Sequence, residues 1–139
     1  MNHLPQGLRK LLLIALISAA CFAQPAWANI WECHKPQVAG YTRVSCLSEG
    51  LAWVQKDGKW GYINKTGKVV IPLQYDDAYS FYEGLAVVKK DGKYGFINKT
   101  GKIIVPLQYD DVGAFYEGLA WVYKDGEEFY INKQGQRVD

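Results

Sequence analysis

Residues 49–64 read Glu49-Gly50-Leu51-Ala52-Trp53-Val54-Gln55-Lys56-Asp57-Gly58-Lys59-Trp60-Gly61-Tyr62-Ile63-Asn64. Asp57-Gly58 separates two short apolar runs, Leu51–Val54 and Trp60–Ile63. Asp-Gly between such runs is a hairpin signal, because a type I′ turn needs positive φ at both central residues. A two-residue loop fixes the register: Gln55 faces Trp60, Val54 faces Gly61, and Trp53 faces Tyr62. Alternation then puts Trp53, Trp60 and Tyr62 on one face, and Ala52, Val54 and Ile63 on the other. Gly61 lies on the second face and leaves room for a neighbouring element to approach closely.

This stretch is one period of a repeat. Glu49-Gly50-Leu51-Ala52 returns as Glu83-Gly84-Leu85-Ala86 and as Glu117-Gly118-Leu119-Ala120, each 34 residues on. Between 49–82 and 83–116, 24 of 34 positions are identical, which marks true internal repetition. Each copy continues through Asn64-Lys65-Thr66-Gly67, a turn with Gly67 suited to a left-handed position. A third strand, Lys68 to Ile71, is expected to end at Pro72, which cannot donate to a ladder. Gln74-Tyr75-Asp76-Asp77 then turns toward the next copy. No segment shows a helical period. The fold class is therefore all-β, with tandem 34-residue units of a hairpin plus a third strand. In copy three Glu128 stands where Trp60 and Tyr94 stand, and Phe129 replaces the glycine, so that hairpin is expected to pack differently.

Lys59-Trp60-Gly61-Tyr62-Ile63-Asn64, preceded by Glu49-Gly50-Leu51-Ala52 and followed by Gly67-Lys68, resembles the WG (KWG) repeat of bacterial exported and surface proteins. The resemblance covers about 49–139. Tyr94 replaces the signature Trp in copy two, and copy three lacks the Trp-Gly pair. It implies a β-repeat array used as an interaction scaffold, with no defined catalytic residues.

The chain before the repeats divides in two. His3, Arg9 and Lys10 precede an apolar run from Leu11 to Phe22, and Ala26-Trp27-Ala28 follows Pro25. That is the layout of a cleaved export signal over residues 1–28. The run would span about 18 Å as a helix, against roughly 30 Å of hydrocarbon, so no transmembrane anchor is expected. A lipoprotein reading through Cys21 lacks the usual leucine, because Ser18 stands in its place. The expected location is the periplasm or cell envelope, with secretion as the variant. Removing the signal leaves 14 Lys and Arg against 14 Asp and Glu. A neutral domain is not expected to bind nucleic acid or an anionic membrane.

Residues 29–48 hold Cys33 and Cys46. In an oxidising compartment they are expected to form a disulfide. A metal site of Cys33, His34 and Cys46 is the weaker alternative, since adjacent residues rarely point at one ion and no fourth ligand is evident. The same segment carries a worn copy of a repeat tail: Tyr41 aligns with Tyr75 and Tyr109, Val44 with Ala78 and Val112, and Leu47 with Phe81 and Phe115. With 49–82, 83–116 and 117–139 as the copies, this phase allows two arrangements. One is an open array with the disulfide loop as a cap. The other is a ring in which the N-terminal segment completes the last unit and removes open edges.

Candidate chemistry is sparse. Asp76-Asp77 and Asp110-Asp111 are repeated carboxylate pairs. They fit turn hydrogen bonding better than calcium, since they lack the dense ligand spacing of calcium loops. Trp53, Trp60, Tyr62, Tyr94 and Trp121 are candidates for a sugar-stacking platform but fit a core role better. Tyr79, Tyr82, Tyr116 and Tyr123, at element ends or opposite apolar neighbours, are expected to be partly exposed. Together with the four aspartates they form the candidate binding surface. Asn64-Lys65-Thr66 and Asn98-Lys99-Thr100 match glycosylation acceptors, which a repeated turn also explains. No nucleophile motif and no phosphate-binding glycine loop occurs, and no cofactor is expected. The expected function is non-catalytic binding, first of a protein partner. Lectin-like binding of a glycan or peptidoglycan comes second and an enzyme third.

Overall fold

The Asp57-Gly58 loop closes the hairpin that the sequence predicts. In this computed structural model, residues 32–139 are described, so the expected export signal and Cys21 lie outside the described residues. Strands β1 (Arg43–Val44), β2 (Leu51–Lys56), β3 (Lys59–Asn64) and β4 (Val69–Tyr75) form one antiparallel meander. Strands β5 (Asp77–Ala78), β6 (Leu85–Lys90), β7 (Lys93–Asn98) and β8 (Ile103–Tyr109) form the second. The third consists of β9 (Asp111–Val112), β10 (Leu119–Lys124), β11 (Glu127–Asn132) and β12 (Arg137–Val138). Among the described residues no helix is long and apolar enough to cross a membrane.

The β2–β3 register is the expected one, with Gln55 opposite Trp60, Val54 opposite Gly61 and Trp53 opposite Tyr62. Asp57 and Gly58 have φ of +51° and +74°, as a type I′ turn requires. The second turn is held by Asn64, whose Oδ1 accepts the N–H groups of Thr66 and Lys68, both at 3.0 Å.

One expectation needs correction. Pro72 does not end the third strand, since β4 runs through it to Tyr75. Between the pairs Trp60–Tyr75 and Tyr62–Ile71, β3 advances two residues and β4 advances four. The surplus forms a bulge, where a proline costs no ladder bond. That bulge crosses over Gly61. A Cβ there would lie 2.6 Å from the Ile71 carbonyl oxygen and 2.8 Å from the Leu73 nitrogen. The glycine of the Trp-Gly pair thus exists to let β4 pass, and Gly95 has the same relation to Val105 and Leu107.

Of the two arrangements that the repeat phase allows, the structure takes the open array. Arg43 and Val44 pair with Gln55 and Val54, so the N-terminal segment completes the first sheet and not the last. β12 pairs with β11, and the three sheets form an open array. The disulfide between Cys33 and Cys46, together with the bond from the Leu47 N–H to the His34 carbonyl (2.7 Å), ties residues 33–38 down. Val38 packs with Tyr41, Val44 and Leu47 against Ala52, Val54 and Ile63. Those three are the face that, in the next unit, Ala86, Val88 and Ile97 present to the first sheet.

The core lies between sheets. Leu51, Tyr62 and Ile71 of the first sheet pack on Ala78, Phe81, Val88 and Ile97 of the second. Leu85, Phe96 and Val105 of the second pack on Phe115, Val122 and Ile131 of the third. Fully burying one such large side chain contributes about 1.5–3 kcal/mol. Tyr62 is fully buried, and its hydroxyl donates to the Tyr79 carbonyl at 2.7 Å, which satisfies its polar end. Burial holds its phenol above the ordinary range. In the third unit no bulge crosses Phe129. Its ring packs edge-on to Tyr109, 6.4 Å between centroids, and under the Arg137 guanidinium at 4.5 Å. This is the different packing expected there.

Candidate functional site

The Glu-Gly pairs that mark each repeat are themselves turns. Glu49 and Gly50 have φ of +52° and +83°, and Ser48 and Leu51 exchange both backbone bonds across them. A non-glycine residue at positive φ is strained, and the side chain shows what offsets it. The Glu49 carboxylate accepts the N–H of Gly84 at 3.0 Å and pairs with Lys99 at 3.2 Å. Glu83 repeats this with Gly118 at 3.1 Å and Lys133 at 3.7 Å. These glutamates staple each unit to the next, a role the sequence reading missed because it took Glu-Gly only as a repeat marker.

Asp76 and Asp110 also join units. Asp76 pairs with Lys59 at 2.7 Å and accepts the N–H of Asp91 at 2.9 Å, in the hairpin turn of the following unit. Asp110 pairs with Lys93 and accepts the N–H of Asp125 at 3.0 Å. Both carboxyls are held below the ordinary range, first by the lysine and then by the backbone donor. Asp77 is engaged elsewhere, accepting the Ala78 N–H at 2.9 Å and the Tyr79 hydroxyl at 3.2 Å. The paired carboxylates therefore face different partners. Among the described residues no three His, Cys, Asp or Glu side chains converge on a metal position.

Of the candidate tyrosines, Tyr79 and Tyr82 are about half exposed, Tyr116 is 76% exposed, and Tyr123 is half-buried opposite Asp111. Tyr79 and Tyr82 come together around a cavity of about 330 Å³. Trp53 reaches it from the first sheet, and Val87, Tyr94 and Phe96 from the second. Asp111, Ala114 and Phe115 reach it from the strand entering the third. Burial, and then Asp77, push the Tyr79 phenol up to about 12, so it stays a neutral donor at physiological pH. Lys89 lies over the Tyr94 ring at 4.9 Å.

The repeat explains why a hollow exists at this place. At 34-residue spacing, Trp53, Val87 and Trp121 are equivalent, and the middle unit carries the small residue. Ser80 is equivalent to Ala114, which lines the cavity, whereas Gly113, the equivalent of Tyr79, faces Trp121 outside the lining. Gly113 is not required by crowding: a Cβ there would meet nothing nearer than 3.8 Å. The sequence reading selected Tyr79, Tyr82 and Asp111 for their types. It did not find Val87 or Ala114, whose signal is a departure from the repeat.

What the site offers is aromatic surface, an apolar floor and one carboxylate. No lining side chain is a Lys, Arg or His, and none pairs a nucleophile with a base. Residues 39–60, 60–94 and 94–127 match the family model described as WG containing repeat. Neither the curated proteins nor the solved structures contain a match to the chain.

Proposed function

Because this chain belongs to the WG-repeat family, we propose that it is a non-catalytic binding module of the bacterial cell envelope, whose ligand is a glycan. The observation that carries this is the aromatic-walled cavity of about 330 Å³ between the second and third units. A small-molecule site is concave, largely apolar and furnished with a few polar groups, and roughly 300 Å³ is the lower end of its range. A pyranose ring has apolar faces for Trp53 and the tyrosines, and hydroxyls for Ser80 and Asp111. The sequence alone ranks a protein partner first, and a cavity of ring size reverses that order. Export rests on the signal at residues 1–28.

The test is a panel of immobilised envelope glycans and peptidoglycan fragments probed with the oxidised, signal-free protein. Saturable retention, with quenching of tryptophan emission by the free sugar, supports the reading. Silence on the whole panel refutes it.

A protein partner remains the second reading, favoured by the exposed patch of the third unit. Tyr116 and Tyr130 are 76% and 53% exposed there, with Leu119 and Val138 beside them in exposure. Contiguous exposed apolar surface is what protein interfaces use. A specific cross-linked partner from envelope extracts, lost on Tyr130→Lys, supports that reading.

A further inference from the structure

The cavity over Val87 has a neighbour. Trp53, Ser80 and Tyr82 line it, and the same three side chains line a second hollow of about 480 Å³ on the side of the first unit. Lys35 and the segment from Val44 to Ser48 form the rest of that hollow. The repeat explains why it is open. Ser45 and Ser48 are equivalent to Tyr79 and Tyr82, so the first unit lacks both tyrosines that wall the main cavity. The partition between the hollows is fixed in place. The Tyr62 hydroxyl donates to the Tyr79 carbonyl and the Ser48 hydroxyl to the Phe81 carbonyl, both at 2.7 Å. The Tyr82 N–H donates to the Leu85 carbonyl at 2.9 Å. Two adjoining hollows and the aromatic partition between them are thus preorganised by the fold.

Resting on the glycan reading above, we infer that the ligand is an extended oligosaccharide and not a single sugar: one ring sits over Val87 in the main cavity, and the chain crosses Tyr82 into the hollow beside Ser48 and Lys35. Tyr82 is 55% exposed, so its ring is open to a passing chain. Sheets packed face to face lie about 10 Å apart, roughly the length of two sugars in a straight chain, so about three residues reach from one hollow to the other. Charge complementarity selects a neutral chain. Together the two linings carry one carboxylate, Asp111, and one ammonium, Lys35, one on each side of the partition. A chain of like charges is repelled at one end or the other.

Calorimetric titration of the oxidised protein spanning residues 29–139 tests this, with β-1,4-linked oligomers of glucose and of N-acetylglucosamine from one to six residues long. In at least one series the affinity should rise about tenfold or more between one residue and three, then level off, with one chain bound per protein. The α-1,4-linked glucose oligomers coil and should show no such rise. Ser48→Tyr restores the side chain of Tyr82 and Tyr116. It should remove the gain with length and leave the affinity for a single sugar unchanged. Ser48→Ala deletes only the bond to Phe81 and should keep the gain. In amide NMR spectra of the wild type, Ser45, Cys46 and Leu47 should shift with a trisaccharide and not with a methyl glycoside. If a single sugar binds but longer chains bind no tighter, or if the gain survives Ser48→Tyr, the extended groove is wrong and the glycan reading stands. A bound trisaccharide that leaves those three amides in place overturns the groove in the same way. If none of the oligomers binds and the glycan panel is also silent, the glycan reading falls as well.

Discussion

The Glu49 carboxylate accepts the backbone N–H of Gly84 at 3.0 Å, so a strained turn in one unit is tied to the same turn in the next. The relation recurs from Glu83 to Gly118. Removing the side chain leaves the strain and deletes the tie. Glu49→Ala should cost about 1 kcal/mol in urea unfolding. Lys99→Ala should cost less, since an exposed ion pair is worth under about 1 kcal/mol and is screened by salt. Glu49→Gly should be milder than Glu49→Ala, because glycine accepts φ of +52° without strain. Equal losses for the two would show that strain plays no part.

Gly61 is fixed by backbone and not by side-chain packing. Gly61→Ala places a methyl 2.6 Å from the Ile71 carbonyl and 2.8 Å from Pro72 and Leu73. Backbone cannot rotate away as a side chain can, so a loss of about 2–3 kcal/mol is expected. Gly113→Ala, with 3.8 Å of clearance, should be near neutral. A melting temperature for Gly61→Ala within error of the wild type would contradict this account of the Trp-Gly pair.

Acid should loosen the array in a defined window. Asp76 and Asp110 have pKa values lowered by Lys59 and Lys93. A carboxyl lowered in the folded state contributes stability that is present above its unfolded value of about 4. That stability is lost as pH falls through the lower folded value. Carboxyl NMR titration should therefore place both below the free aspartate value of about 4, and Lys59→Gln should move Asp76 upward while leaving Asp110 in place. A folded-state Asp76 titrating above the free carboxyl would reverse the sign and contradict the clamp.

Reduction should uncover one sheet face. The Cys33–Cys46 bridge holds Val38 over Ala52, Val54 and Ile63. Closing a loop of this length is worth about 3 kcal/mol in the chain-entropy model. Dithiothreitol, or Cys33→Ser, should lower the melting temperature and increase binding of a hydrophobic dye. Hydrogen exchange should rise first in β2 and β3 and leave β6 and β7 protected, because stability in a repeat array is carried by nearest neighbours. Uniform exchange across the three sheets would show that the cap does not act locally.

Much of this fold was legible because its strongest signals are local. Asp57-Gly58 fixes a turn, the turn fixes the register, and the register puts Gly61 opposite Val54. Pro72 misled because a rule about ladder bonds does not apply at a bulge, and the bulge is visible only with Gly61 beneath it. Closure was suggested by the phase of the repeat, but Tyr41 to Leu47 is equally able to begin the first sheet as to finish the last. Glu49 concealed a type I′ turn because glutamate is an unusual residue there, and its compensation comes from Gly84 in another unit. The cavity was the least legible. It depends on Val87 and Ala114 lining one hollow from two sheets, and a search for chemical residues passes over small ones.

The most direct measurement is a backbone amide NMR spectrum of the oxidised protein spanning residues 29–139, recorded as a methyl pyranoside is added. Shifts should concentrate at Asp111, Val112, Gly113, Ala114, Val87 and Tyr79, moving together along one binding curve. The amides of the equivalent positions in the first unit, Ser45 and Cys46, should remain in place. Saturable shifts confined to another face, or none with any neutral sugar, would contradict the account.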